Sequence, residues 1–148
     1  MAFEFKVRRR VEFSETDMAG IVHYANFFRY METAEHAFYR SLGHSVIMPD
    51  RTPPVGFPRV HAECDYKKPL KFEDEIEIHL LVREKRPKVL SYQFVFRKIT
   101  GAELVEVARG VLTVVCVMHG EGTTMVSTPI PGELADQIEV APEAELLR

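Results

Sequence analysis

The chain predicts an α+β fold in which one antiparallel sheet of five to six strands wraps a single long helix. Phe27, Phe28, Met31, Ala34, Phe38 and Leu42 recur at steps of three and four, so one stripe of a helix is fit for burial. Several later segments alternate apolar and polar residues, as strands with one covered face do. The links between those segments are short, which favours antiparallel pairing.

Taken in order, residues 3–13 alternate Phe3, Phe5, Val7, Val11 and Phe13 with charged residues and read as a first strand. Arg8, Arg9 and Arg10 within it read as a solvated edge that discourages sheet-to-sheet association. Residues 14–20 break both periods, contain Gly20, and form a loop that presents Asp17. The helix is expected from about Tyr24 to Leu42, with Gly43 as its C′ stop. Residues 43–58 carry Pro49, Pro53, Pro54, Gly56 and Pro58, and read as a loop crossing the domain.

Strands are then expected over residues 60–66, 76–83, 90–96 and 104–118. The last is apolar on both faces from 111 to 117, as a strand in mid-sheet would be. Lys68-Pro69 with Phe72-Glu73-Asp74, a basic hairpin at 84–88, and Thr100-Gly101 supply the turns. A short strand is expected at 123–126, and the tail from Pro129 should end in a short helix or disorder. One sheet over one helix leaves an edge and apolar surface to cover, for which a homodimer is the simple remedy.

With 148 residues, 46% of them apolar, the chain is expected to form one domain, 1–148, around a real core. The formal net charge of −3, with acids and bases intermixed, points away from nucleic acid and anionic membranes as main partners. No apolar run approaches the ~20 residues of a membrane helix or follows the N-terminus as a signal peptide would, so a cytoplasmic protein is expected. Cys64 and Cys116 form no CxxC pair and read as reduced structural thiols. His61, His79 and His119 stand singly on strands and read as surface or interface residues rather than metal ligands, so no metal is expected.

Chemistry concentrates just ahead of the helix. Asp17 precedes an N-terminus whose unpaired N–H groups and partial positive charge can polarise a carbonyl, and a carboxylate beside such donors is half of a hydrolytic site. His23, six residues on, reads as a second base, as an orienter, or as a packed helix-start histidine. Glu32, Glu35 and His36 read as a polar helix face or as an ion pair with Arg29 or Arg40, ahead of a functional cluster. Ser91 has no triad pattern around it.

The stretch FSETDMAGIVHYANFFRYMETAE, the later CDYKKPLKFEDEIEI and the closing Pro-Ile-Pro resemble the 4-hydroxybenzoyl-CoA thioesterase family of hotdog-fold enzymes, over residues 7–131. The resemblance implies a hotdog fold, homodimers that pair into homotetramers, and hydrolysis of acyl-CoA thioesters without a cofactor. It implies that Asp17 is the catalytic carboxylate and that the Tyr24 backbone N–H meets the thioester oxygen. It also sets Arg86 and Lys88 of the basic hairpin near CoA phosphates. His23 stands where the benzoyl-specific branch has an aromatic residue, which argues for another small or medium acyl group. Two alternatives are weaker. An enoyl-CoA hydratase of this fold spaces its Asp and His differently, and a non-catalytic acyl-CoA or acyl-carrier binding module would have no use for an acid beside the thioester.

Overall fold

A computed structural model describes residues 1–48, 54–120, 122 and 124–148. In chain order the elements are β1 (Glu4–Arg10), a 3-10 turn (Phe13–Glu15), α1 (Asn26–Ser41), β2 (Val55–Gly56), β3 (Arg59–Tyr66) and β4 (Glu75–Lys85). There follow β5 (Val89–Thr100), β6 (Glu103–Val115), β7 (Val117–His119), β8 (Met125–Ser127), α2 (Gly132–Ala135) and α3 (Glu143–Leu146). Five strands form an antiparallel sheet in the order β1-β4-β5-β6-β3, and β2, β7 and β8 form a small second sheet.

The alternation read from the sequence selects the concave face. Ile76, Ile78, Leu80 and Val82 of β4, with Tyr92, Phe94 and Phe96 of β5, meet Phe27, Tyr30, Met31, Ala34 and Phe38 of α1 in one buried cluster. Each large side chain so buried stabilises the fold by roughly 1.5–3 kcal/mol. Gly110 on β6 makes room for the Met31 side chain, since a Cβ there would lie 2.3 Å from Met31 Cε and 3.0 Å from the Glu63 carbonyl oxygen. Gly43 ends α1 with φ +85, and the His44 N–H reaches back to the Tyr39 carbonyl at 3.0 Å.

Several expectations need correction. The first strand stops at Arg10, and Arg9 turns inward, because Glu15 offers it a partner beneath the loop. The long fourth strand breaks at Cys116, whose N–H bonds the Lys88 carbonyl instead of continuing the ladder. β8 begins at Met125, and the expected Thr123 and the prolines Pro49 and Pro53 lie outside the described residues. Glu35 is not on a polar face: it is buried and pairs with Arg59 of β3 rather than with Arg29 or Arg40. His79, expected at the surface or an interface, is 5% exposed within the chain, held between Glu4 Oε1 at 2.6 Å and Arg97 Nη1 at 3.0 Å, and burial lowers its pKa.

The tail explains that last burial. Ala2 and Ile138 form a parallel bridge, the Ala141 N–H bonds the Val82 carbonyl, and Leu146 packs with Leu81 and Val95 on the convex face. The tail is therefore ordered and covers the back of β4 and β5. β3, by contrast, pairs only with β6 and is mostly exposed. Cys64 is half-buried and Cys116 is buried with its Sγ 3.8 Å from the Pro129 carbonyl oxygen, and no helix among the described residues is long and apolar enough to cross a membrane.

Two measurements test this packing. Gly110→Ala should destabilise the chain by about 1–3 kcal/mol in urea unfolding, because the methyl end of the fully buried Met31 must shift while the Glu63 carbonyl oxygen, 3.0 Å from the new Cβ, is backbone. Burial pushes the Glu35 carboxyl up to about 7 against the pull of Arg59. The folded state thus keeps a proton that the unfolded chain loses near pH 4.5, so this group's contribution is full below that pH and is lost as pH rises through about 7. Relative to wild type, Glu35→Gln should gain on the order of 3 kcal/mol between pH 4 and pH 8, on top of any constant cost of losing the Arg59 ion pair.

Candidate active site

Residues 13–25 form two legs and a tip. Thr16 and Val22 bridge antiparallel, the Asp17 N–H bonds the Ile21 carbonyl at 2.9 Å, and Gly20 closes the tip with φ +79. The Val22 N–H bonds the Leu70 carbonyl at 2.8 Å, tying the loop to the β3–β4 turn. Asp17 is half-buried at this tip, and its Oδ1 accepts the Ala19 N–H at 2.9 Å. Among the described residues its Oδ2 has no hydrogen-bond donor.

The helix start is more particular than the sequence suggests. α1 begins at Asn26, so Tyr24 lies in the turn before the N-cap Ala25 rather than in the helix. The N–H groups of Asn26, Phe27 and Phe28 bond the carbonyls of His23, Tyr24 and Ala25 at 2.9, 3.3 and 3.2 Å. The Ala25 N–H bonds His23 Nδ1 at 3.3 Å. Among the described residues, the Tyr24 N–H alone in this turn has no acceptor. The Tyr24 carbonyl is held by the Tyr66 hydroxyl at 3.0 Å.

A cleft of about 380 Å³ opens beside this turn, lined by Asp17 and Tyr24 together with Val22, Phe27, Tyr66 and Leu70. Its floor is apolar: Val22, Phe27 and Leu70 are all buried. Tyr66 meets Phe27 edge-on at 5.1 Å, and burial pushes its hydroxyl pKa up to about 12, so it stays a donor. Lys67 and Lys68, which sequence reasoning passed over, line the cleft too. Lys67 pairs with Glu106, whereas Lys68 has no acidic partner among the described residues. Their only signal in the sequence is position, one and two residues beyond Tyr66.

The structure thus brings Asp17 and Tyr24 together and leaves the other expected groups apart. His23 does not line the cleft: its ring stacks on Tyr24 at 4.5 Å, and its Nδ1 acts as an acceptor for the helix start. Arg86 pairs with Glu84 at 2.7 Å on the hairpin after β4, at the opposite end of that strand from the cleft, and Lys88 shares that hairpin. Ser91 bonds Thr113 at 2.9 Å within the sheet.

A five-stranded antiparallel sheet wrapped over one long helix is the hotdog fold that the chain shares with solved thioesterases. The sequence profile of the thioesterase-like superfamily matches residues 11–138, and the chain belongs to that family. A protein of Aquifex aeolicus (strain VF5) with an esterase designation is 40% identical over 71% of this chain and 78% of its own length. The 1,4-dihydroxy-2-naphthoyl-CoA hydrolase of Synechococcus sp. (strain CC9311) is 31% identical over 72% of each chain. A gentisyl-coenzyme A thioesterase structure superposes with TM-score 0.73 at 30% identity, covering 87% of this chain and 98% of that one.

Proposed function

We propose that the protein hydrolyses an acyl-CoA thioester with a small, medium or aromatic acyl group, using Asp17 and the Tyr24 N–H. What carries this reading is that the half-buried carboxylate and the unoccupied donor of the helix start line one apolar cleft. Asp17 acts as nucleophile through a mixed anhydride or as base to a water; both routes put negative charge on the thioester oxygen, where the Tyr24 N–H meets it. The CoA thiolate then departs without an acid, so His23 is free to hold the turn. Tyr24, Phe27 and Tyr66 give the cleft aromatic walls, in keeping with the naphthoyl and gentisyl esters named for two relatives.

We assign the phosphate contact within one chain to Lys68 at the cleft, and leave Arg86 and Lys88 to substrate bound at a neighbouring copy. The open β3 edge is the surface through which two copies pair into a homodimer, which can pair again into a homotetramer. The free thiol of Cys64 suits the cytoplasm.

Thiol release from acetyl-, hexanoyl-, palmitoyl- and benzoyl-type CoA esters tests the chemistry. Asp17→Asn should lower kcat by roughly 100-fold or more while leaving affinity for the ester unchanged. Wild-type turnover in that variant would refute the assignment. Sedimentation equilibrium at micromolar concentration should give twice the 17.0 kDa chain mass or a multiple of it. A fully active monomer would rule out the paired edge.

A further inference from the structure

Beneath the catalytic loop lies a group of charges that the chemistry above does not use. Glu15, two residues before Asp17, pairs through Oε2 with Arg9 of β1. Its Oε1 accepts the Tyr30 hydroxyl of α1 at 2.9 Å and the Glu12 N–H at 2.8 Å. Its carbonyl accepts the His23 N–H at 2.9 Å and Asn26 Nδ2 at 2.8 Å. The Arg9 guanidinium lies 4.5 Å from the centre of the Tyr30 ring, and Tyr30 is fully buried. One residue therefore joins both legs of the loop, the first sheet strand and the helix.

We infer that Glu15 is a positioning residue, which fixes the Asp17 carboxylate relative to the Tyr24 N–H without touching substrate. Its carbonyl holds the leg that carries His23 and leads into Tyr24, while its side chain holds the leg that carries Asp17. The two catalytic groups come from opposite legs, so their separation follows from this clamp. The carboxylate is suited to the task because three donors converge on it from β1, α1 and the loop itself. A neutral amide at the same place would keep the Tyr30 and Glu12 contacts and leave the Arg9 charge unmatched, with its Nε already buried and unpaired. Misplacing reacting groups by about 1 Å costs as much as 100-fold in rate.

The inference rests on Asp17 as the catalytic carboxylate, and the experiment separates the two claims. Glu15→Gln and Tyr30→Phe are each made in the wild-type and Asp17→Asn backgrounds, and kcat and KM for thiol release are measured with folding checked by circular dichroism. Residual rates of the Asp17→Asn background are followed at high enzyme concentration. Glu15→Gln should lower kcat roughly 10- to 100-fold with KM within about twofold, and Tyr30→Phe should do the same more weakly. Neither should lower the residual rate of the Asp17→Asn background further, because a residue acting through Asp17 has nothing left to position. Equal proportional losses in both backgrounds would show general structural damage and overturn the inference. Wild-type kcat in both variants, with Asp17→Asn inactive, would overturn the positioning role alone. Full turnover in Asp17→Asn would overturn both. If Glu15→Gln does not fold, Tyr30→Phe, which removes a single hydroxyl from the clamp, decides the matter.

Discussion

Everything at the cleft depends on how deeply α1 sits in the sheet. Met31 lies against Gly110, where β6 carries no side chain, and Phe27, Tyr30, Ala34 and Phe38 fill the concave face on either side. Close packing of this kind leaves a helix no room to slide or roll, since interiors have few voids into which side chains can move. The start of α1 is therefore fixed beside the end of β3, where Tyr66 can take the Tyr24 carbonyl and pack against Phe27. An apolar contact in the middle of the domain thus determines where an unpaired N–H stands at its rim.

Two ion pairs complete what apolar packing cannot specify. Arg9 with Glu15 joins β1 to the loop, and Arg59 with Glu35 joins the beginning of β3 to the middle of α1. Neither arrangement is an obvious gain in stability, because desolvating two charges can cost more than their attraction returns. The cost is visible at Glu35, whose second oxygen is buried without a partner. What such pairs supply is direction. Hydrophobic burial is indifferent to a small rotation of a loop, whereas a guanidinium and a carboxylate meet well in few geometries. A loop that must aim a carboxylate needs that kind of constraint.

The elements were legible in the sequence because their signals are local. The stripe from Phe27 to Leu42, the alternation in β4 and β5, and the acid ahead of the helix each lie within one segment, and each is where it was expected. What was not legible depended on distant partners. Arg9 sits in a run of three arginines that any reading of charge would leave in solvent, and only Glu15 and Tyr30 draw it in. Glu35 and His79 read as polar surface because nothing near them in sequence reveals Arg59, or the tail that crosses the convex face. Periodicity says which residues share a face of a strand, but not whether a second layer covers that face. The same limit hid Lys67 and Lys68, which matter only because the turn after β3 runs beside the loop.

The helix start also bears on which donors a thioesterase of this kind can use. A whole helix terminus would seem to offer several N–H groups to an oxyanion, yet here the turn tightens and carbonyls three residues back take those of Asn26, Phe27 and Phe28. The Ala25 N–H goes to the His23 ring. Among the described residues one donor of the turn is left, and it belongs to a residue outside the helix. On the proposed route this arrangement favours a single, well-aimed contact over a diffuse positive field, and the apolar floor of Val22, Phe27 and Leu70 strengthens that contact by lowering the local dielectric. On the same proposed route the thiolate departs without an acid, and His23 serves the turn by taking the Ala25 N–H, so that among the described residues the open donor of the turn is the Tyr24 N–H.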